Sequence, residues 1–131
     1  MKIFIGQPVT GEDINQLREE SDKICSLLES KNKETYCVIF DGSEKEANSN
    51  ENKMKYAFSK LDGCDTFLVI LRNERKSEGM LMEFGYAIAK KMKIIVAIKN
   101  GVKNTYLPEI ADEVIKFENI DDLLNKLKEL K

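Results

Sequence analysis

The chain of 131 residues is long enough to bury a hydrophobic core without disulfide bonds, and we expect residues 1–131 to form one domain. Its 21 basic and 23 acidic residues nearly balance, and no patch combines lysines with aromatic residues, so a nucleic-acid polymer is not an expected partner. No apolar run approaches the ~20 residues that a membrane span needs, and the opening apolar stretch is too short for a secretory leader. These features predict a soluble, cytoplasmic protein with no membrane partner.

Two residue types limit the chemistry that is available to the chain. The three cysteines, Cys25, Cys37 and Cys64, show no CxxC spacing and lie in apolar segments, which indicates reduced core residues. Histidine is absent, so the chain lacks the commonest general base and the commonest transition-metal ligand. We therefore expect chemistry by carboxylates, hydroxyls or thiols, with neither a metal nor a cofactor.

Strand and helix patterns alternate along the chain. Apolar runs rich in β-branched or aromatic residues predict five strands, at residues 2–5, 36–40, 66–71, 93–98 and 114–117. Apolar residues at helical spacing lie between them, at 14–28, at 54–61, around residue 83, and at 120–130. The pattern predicts an α/β protein with a doubly wound, flavodoxin-like or Rossmann-like parallel sheet, in the strand order 2-1-3-4-5.

This fold predicts where a ligand would bind. Open α/β sheets bind ligands beyond the carboxyl ends of their strands, where the strand order reverses, which here lies between strands 1 and 3. The loops at that point are residues 6–11 and 72–79. The polar segment 41–52 flanks the same edge, and we interpret it as a mobile loop that could act as a lid.

Glu83 is the strongest candidate for a reactive group. It follows strand 3 in the first two turns of a helix whose other residues at core spacing are apolar, namely Met80, Phe84, Ala87 and Ile88. A carboxylate among such neighbours at the switch point is seldom required for packing. The alternative is an acid that only benefits from the helix dipole, an effect of about 0.3–1 kcal/mol.

Other residues at this edge each have a structural and a functional interpretation. The loop that begins with Gly6 and Gln7 and ends at Gly11 contains glycines, which permit close approach of a ligand. Taken alone, this loop is better interpreted as an ordinary turn. Ser77 suits a helix N-cap, and together with Gly79 it could bind an anion or a sugar hydroxyl. For Asp41, in an Asp-Gly pair, a turn and a ligand contact are equally supported. Asp65 is interpreted as a turn or backbone-capping residue, and Gly85 as a position that permits close helix packing.

These residues together resemble a known family. The motif Ser77-x-Gly79-x-x-x-Glu83-x-Gly85-Tyr86-Ala87 after an apolar strand, with the opening Ile3-Phe4-Ile5-Gly6, resembles the nucleoside 2-deoxyribosyltransferase superfamily. That superfamily includes 2′-deoxynucleoside 5′-monophosphate N-hydrolases and cytidine monophosphate N-ribohydrolases. The resemblance covers nearly the whole chain.

The resemblance implies an activity and a site. Glu83 would attack C1′ of the (deoxy)ribose of a nucleoside or nucleotide as the base departs, and water or a second base would resolve the ester. Its position near a helix N-terminus would favour the ionised form. Gly6 and Gln7 would line the pocket floor, and Ser77 and Gly79 would hold the sugar 5′ end. Asn104 would reach a neighbour's pocket, which implies a homodimer or higher homo-oligomer.

The sequence departs from the family pattern at several positions. Ser77 stands where transferases carry Asp, which favours a monophosphate, whereas Asn104 is transferase-like and the first loop has no clear arginine for phosphate. The usual second acid falls near Ala57, so its role would be lost or taken by Asp41, and a strand 1 tyrosine is replaced by Phe4. Two alternatives therefore stand beside an enzyme: a nucleotide-binding protein without catalysis, and a flavodoxin-like interaction module.

Overall fold

The computed structural model of the protein describes residues 1–9, 11–37 and 49–131. Its centre is a parallel sheet of five strands in the order β2-β1-β3-β4-β5. The strands are β1 (Lys2–Gly6), β2 (Glu34–Cys37), β3 (Thr66–Leu71), β4 (Lys93–Lys99) and β5 (Glu113–Phe117). The predicted fold class and strand order are confirmed, whereas residues 38–40 of the predicted second strand lie outside the described part of the chain.

Five helices connect and cover the strands in the described part of the chain. They are α1 (Ile14–Ser30), α2 (Asn50–Asp62), α3 (Glu78–Ala89), α4 (Leu107–Ile110) and α5 (Ile120–Leu127). The prediction of a polar loop as far as residue 52 is wrong at its end, because α2 already begins at Asn50. The hydroxyl of Ser49 accepts a bond from the backbone N–H of Asn52 at 3.1 Å and thereby caps this helix.

Side chains of successive strand residues point to opposite faces of the sheet and form two cores. Ile3 and Ile5 of β1 belong to one core, to which helices α1 and α5 contribute. Phe4 belongs to the other, to which α2 and α3 contribute, and its ring lies between Tyr36 and Phe67 at centroid distances of 5.3 and 5.7 Å. The central strand β3 is buried along its whole length, so the sheet is covered on both faces.

Two predictions about a glycine and an aspartate have different outcomes. The carboxylate of Asp65 accepts bonds from the backbone N–H of Lys2 at 3.1 Å and from the hydroxyl of Thr66 at 2.7 Å, so its interpretation as a backbone-capping residue is confirmed. The prediction that Gly85 permits close helix packing is wrong. Gly85 is exposed, and a Cβ at this position would have no neighbour within 4 Å.

No helix among the described residues is both long and apolar enough to cross a membrane.

Candidate active site

A cavity of about 190 Å³ opens near the carboxyl end of β1, where the strand order reverses. It is bounded by the end of β1 and the residues after it, by the end of β2, and by the N-terminal halves of α2 and α3. The described residues that line it are Ile5, Gly6, Gln7, Val9, Cys37, Lys53, Met54, Tyr56, Ala57, Ser77, Gly79, Met80 and Glu83. The cavity therefore lies at the position that the strand order predicted.

Glu83 presents its carboxylate to this cavity from α3. Its helical neighbours Met80, Phe84 and Ala87 are buried in the core, and they fix the face of the helix from which Glu83 projects. Ile88, also predicted at core spacing, is exposed. The carboxylate oxygen Oε1 lies close to the backbone of Gly6, 3.6 Å from the place where a Cβ on that glycine would be. The strand end and the helix therefore meet at this carboxylate.

Burial controls the charge of Glu83. Removal of the carboxylate from water raises the pKa of Glu83 from 4.5 to about 7. The expectation that the helix N-terminus would favour the ionised form is therefore overturned, because desolvation is the dominant effect. Glu83 is the sixth residue of α3, and the field of the helix end falls off within the first turn. At neutral pH the group is divided between its protonated and its ionised form.

Gly6 makes the close approach of strand and carboxylate possible. A Cβ at this position would lie 2.6 Å from Cζ and 2.7 Å from Cε2 of Phe67, a distance that real Cβ atoms do not adopt. The ring of Phe67 is itself fully buried. Any larger residue would displace either this ring or the strand end beside Glu83.

Ser77 and Gly79 lie where β3 leads into α3. The hydroxyl of Ser77 accepts a bond from the backbone N–H of Met80 at 3.3 Å, so its prediction as an N-cap is confirmed. A Cβ at Gly79 would be in ordinary contact with the sulfur of Met54, at 3.6 Å. The helix begins at the cavity wall, and this places the first N–H groups of α3 at the cavity.

The side chain of Gln7 is held by three other segments of the chain. Its Nε2 donates to Oγ of Ser21 at 2.8 Å and to Sγ of Cys37 at 3.6 Å, and its Oε1 accepts a bond from Nη1 of Arg72 at 2.7 Å. Nε of Arg72 also pairs with Oε1 of Glu20 at 3.2 Å. Both amide hydrogens of Gln7 are therefore engaged inside the protein.

Of the remaining predicted residues, Asn104 does not line the described cavity. Asn104 is exposed after β4, where its Nδ2 donates to the carbonyl oxygen of Glu74 at 2.7 Å and its own carbonyl accepts a bond from Nζ of Lys76 at 2.7 Å. Within one chain, Asn104 borders a separate cleft of about 30 Å³. Asp41 lies outside the described residues.

Sequence reasoning missed the wall that α2 contributes to the cavity. Lys53, Met54, Tyr56 and Ala57 line the cavity from successive turns of this helix. Their signal was present, since a helical pattern was predicted for 54–61, but its polar residues were not assigned to the site. Among the described residues, no group of three His, Cys, Asp or Glu side chains is arranged to hold a metal ion.

Comparison with known proteins shows similarity in structure. The CMP N-glycosidase BcmB of Clostridium botulinum superimposes with a TM-score of 0.73 at 20% identity, over 97% of each chain. A 2-deoxyribosyltransferase from Bacillus psychrosaccharolyticus gives a TM-score of 0.67 at 16% identity, over 100% of this chain and 93% of that one. The SEFIR domain of IL-17 receptor B gives 0.56 at 11% identity, over 98% and 94%.

No protein-family model matches the chain, and no curated protein matches it in sequence. The likeness therefore establishes a shared fold. It agrees with the resemblance of the sequence to the nucleoside 2-deoxyribosyltransferase superfamily at the level of architecture. Because a receptor domain has the same fold, activity has to be argued from the cavity.

Proposed function

We propose that this chain is a member of the nucleoside 2-deoxyribosyltransferase superfamily and cleaves or transfers the N-glycosidic bond of a (deoxy)nucleoside or its 5′-monophosphate. Two of the structures that share its fold are described as a CMP N-glycosidase and a 2-deoxyribosyltransferase. The observation that carries the proposal is a carboxylate, Glu83, that lines a cavity at the switch point of the sheet and is largely removed from water.

Glu83 acts as the nucleophile in this proposal. Its carboxylate oxygen forms a bond to C1′ of the sugar while the bond from C1′ to the base nitrogen breaks, and the base leaves with the bonding electron pair. Water then attacks C1′ and regenerates the carboxylate, which gives hydrolysis, or a second base does so, which gives transfer; the proton that the attacking group loses balances the one that the departed base gains. The two displacements proceed through oxocarbenium-like transition states, which the negative charge of Glu83 stabilises.

The surrounding residues suit a sugar bound over Glu83. Gly6 leaves room above the strand end for the ring, and the first N–H groups of α3 at Ser77 and Gly79 can hold the 5′ hydroxyl or phosphate. The hydroxyl of Ser77 adds no negative charge that would repel a phosphate. Asp41 remains a candidate for contact with the base. Asn104 is proposed to act across a homodimer, since it is not at the cavity of its own chain.

The charge of Glu83 makes the proposed reaction pH-dependent. Only the ionised form attacks C1′, and burial raises the pKa of Glu83 to about 7. The value of kcat/KM should therefore rise tenfold per pH unit below pH ~6 and level off above pH ~8. A nucleophile with an ordinary carboxyl pKa would give a flat profile over this range.

The proposal is tested by release or exchange of base. The protein is incubated with a panel of nucleosides and 5′-monophosphates, with and without a second free base, and the products are separated by chromatography. We expect turnover by the native chain and none by Glu83→Ala or Glu83→Gln. The matched control is Glu78→Gln on the same helix, which removes an exposed carboxylate and should leave turnover unchanged. A fully active Glu83→Ala variant would refute the mechanism.

A second candidate, a nucleotide-binding protein without catalysis, has one observation in its favour. Ala57, a buried and apolar residue, lines the cavity where the resemblance implies a second acid. This candidate predicts saturable binding of a nucleotide, measured by calorimetry, with no release of base over days. Loss of binding in Gly79→Trp, which would fill the cavity, would place that nucleotide in the cavity.

A further inference from the structure

A network of polar side chains lies in the interior of the protein, behind the cavity. It runs from Glu20 and Ser21 on α1, through Arg72 at the end of β3, to the amide of Gln7 after β1. The side chain of Arg72 is 12% exposed and that of Glu20 is 18% exposed, while Ser21 is fully buried. Polar groups that are this well buried lower the stability of the fold unless they form hydrogen bonds with one another.

The geometry of Arg72 explains why an arginine occupies this position. Its Nε and Nη1 point to different acceptors, Oε1 of Glu20 at 3.2 Å and Oε1 of Gln7 at 2.7 Å. A planar guanidinium presents several donors at fixed angles and can bridge two such acceptors, whereas the single ammonium of lysine is a point charge. Nη2 of Arg72 is buried and has no hydrogen-bond partner among the described residues. The bridge to Gln7 is therefore formed although one donor is left unsatisfied.

Gln7 connects Arg72 to the strand end that lies beside the carboxylate of Glu83. It directly follows Gly6, whose backbone lies beside Oε1 of Glu83. With Nε2 bonded to Ser21 and Oε1 bonded to Arg72, its side chain cannot rotate without breaking both contacts. Both of its amide hydrogens are engaged, so it has no donor left for a substrate.

We propose that Arg72 is a positioning residue, which fixes Gln7 and through it the strand end against which the Glu83 carboxylate is held. The functional part of this inference rests on the proposed function. Arg72 does not line the cavity and does not touch the reacting atoms. Its effect on catalysis is exerted through Gln7, and it should change the rate of the chemical step more than the binding of substrate.

The network is tested first by the mobility of Gln7, which does not require turnover. The chain contains two glutamines, Gln7 and Gln16, so selective ¹⁵N labelling of glutamine gives two side-chain amide signals. Gln16 is exposed, and its Nε2 donates to Oε2 of Glu20, the partner of Arg72, so the reference is the Gln7 signal of the native chain and of Arg18→Met. In Arg72→Met, exchange of the Gln7 amide hydrogens with solvent should accelerate by about tenfold or more relative to both. Unchanged exchange at Gln7 would refute the network.

The consequence for the site is tested on Glu83 and on the reaction. In Arg72→Met, water should enter beside the loosened strand end, and the pKa of Glu83, followed by ¹³C NMR and assigned with Glu83→Gln, should fall from about 7 toward 4.5. The value of kcat should fall by about tenfold, equivalent to ~1.4 kcal/mol, with a smaller change in KM. Arg72→Lys should recover part of the loss, and Arg18→Met, an exposed arginine on α1, should behave as the native chain.

A double-mutant cycle separates positioning from general loosening of the fold. Ser21→Ala removes a second partner of Gln7 and is expected to give the same defects in a milder form. If both residues act through Gln7, the double variant with Arg72→Met should lose less activity than the product of the two single losses. Multiplicative losses, or a normal kcat with a mobile Gln7, would overturn the positioning role. If the native chain turns over no substrate, the proposed function fails, and the Glu83 titration alone decides whether Arg72 shapes the site.

Discussion

Replacement of Glu83 by glutamine should stabilise the protein at alkaline pH, because the native carboxylate is buried at a free-energy penalty. Burial raises the pKa of Glu83 from 4.5 to about 7 in the folded state. Between these values the folded chain binds a proton that the unfolded chain has released, so stability declines as the pH rises. Each pH unit of the interval corresponds to ~1.4 kcal/mol. The penalty is absent below pH ~4.5 and reaches about 3 kcal/mol above pH ~7.

Glutamine has nearly the same shape and does not titrate, so Glu83→Gln isolates this effect. The free energy of unfolding is measured in urea for both proteins from pH 4.5 to 8.5. As the pH rises, the free energy of unfolding of the variant should increase relative to that of the native chain, by up to about 3 kcal/mol at pH 8. This difference is a large fraction of the stability of a typical domain. If the amide packs less well than the carboxyl group, the variant's stability falls by the same amount at every pH, so the slope of the difference is unaffected.

The control is Glu78→Gln, in the first turn of the same helix and exposed to solvent. It should show no comparable gain between pH 4.5 and 8.5. A constant difference between Glu83→Gln and the native chain over this range would contradict the reasoning, because it would mean that Glu83 titrates alike in the folded and unfolded states. The same measurement bears on function, since a group that destabilises its own fold at neutral pH is retained for another reason.

Three further changes test neighbouring parts of the site. Gly6→Ala should destabilise the fold by about 1–3 kcal/mol in thermal unfolding, because its Cβ would overlap a buried ring, whereas Gly85→Ala, with open space around it, should be neutral or stabilise by up to ~1 kcal/mol. Ser77→Asp should shift the ratio of kcat/KM values from monophosphates toward nucleosides, and an unchanged ratio would remove Ser77 from the 5′ subsite. Glu83→Ala and Asn104→Ala, mixed under conditions of subunit exchange, should regain part of the activity; sedimentation as a monomer, or a mixture that stays inactive, would refute the shared site.

The sheet could be predicted from the sequence because strands β1, β3 and β4 are largely apolar runs that alternate with helical patterns. The burial of β3 along its whole length and the order of the five strands follow from that alternation and from the handedness of the crossovers. The short helix α4 could not be found in this way. Its four residues are too few for a periodic pattern, and it begins with Leu107 followed by a proline.

The cavity could be placed from the sequence, but its internal contacts could not. Glu83 stands out because local spacing puts it among apolar residues. The contact of Arg72 with Gln7 joins residues 65 positions apart, and its contact with Glu20 joins residues 52 apart. Neither pairing has a local signature. The sole hint was a charged residue directly after a buried strand at the carboxyl edge of the sheet, where side chains of several loops meet.

The α2 wall bears on which base could leave in the proposed reaction. Retaining glycosidases use one carboxylate as nucleophile and a second carboxyl group as acid for the leaving group. Here Ala57 occupies the wall where the second acid is implied, and the described residues of that wall whose side chains carry hydrogen-bond donors are Lys53 and Tyr56. An ammonium and a hydroxyl bind acceptor atoms, and the ammonium also offsets negative charge. Such a wall would suit a base that leaves with its negative charge distributed on carbonyl oxygens. It would suit less well a base that a carboxylic acid has to protonate before it can depart.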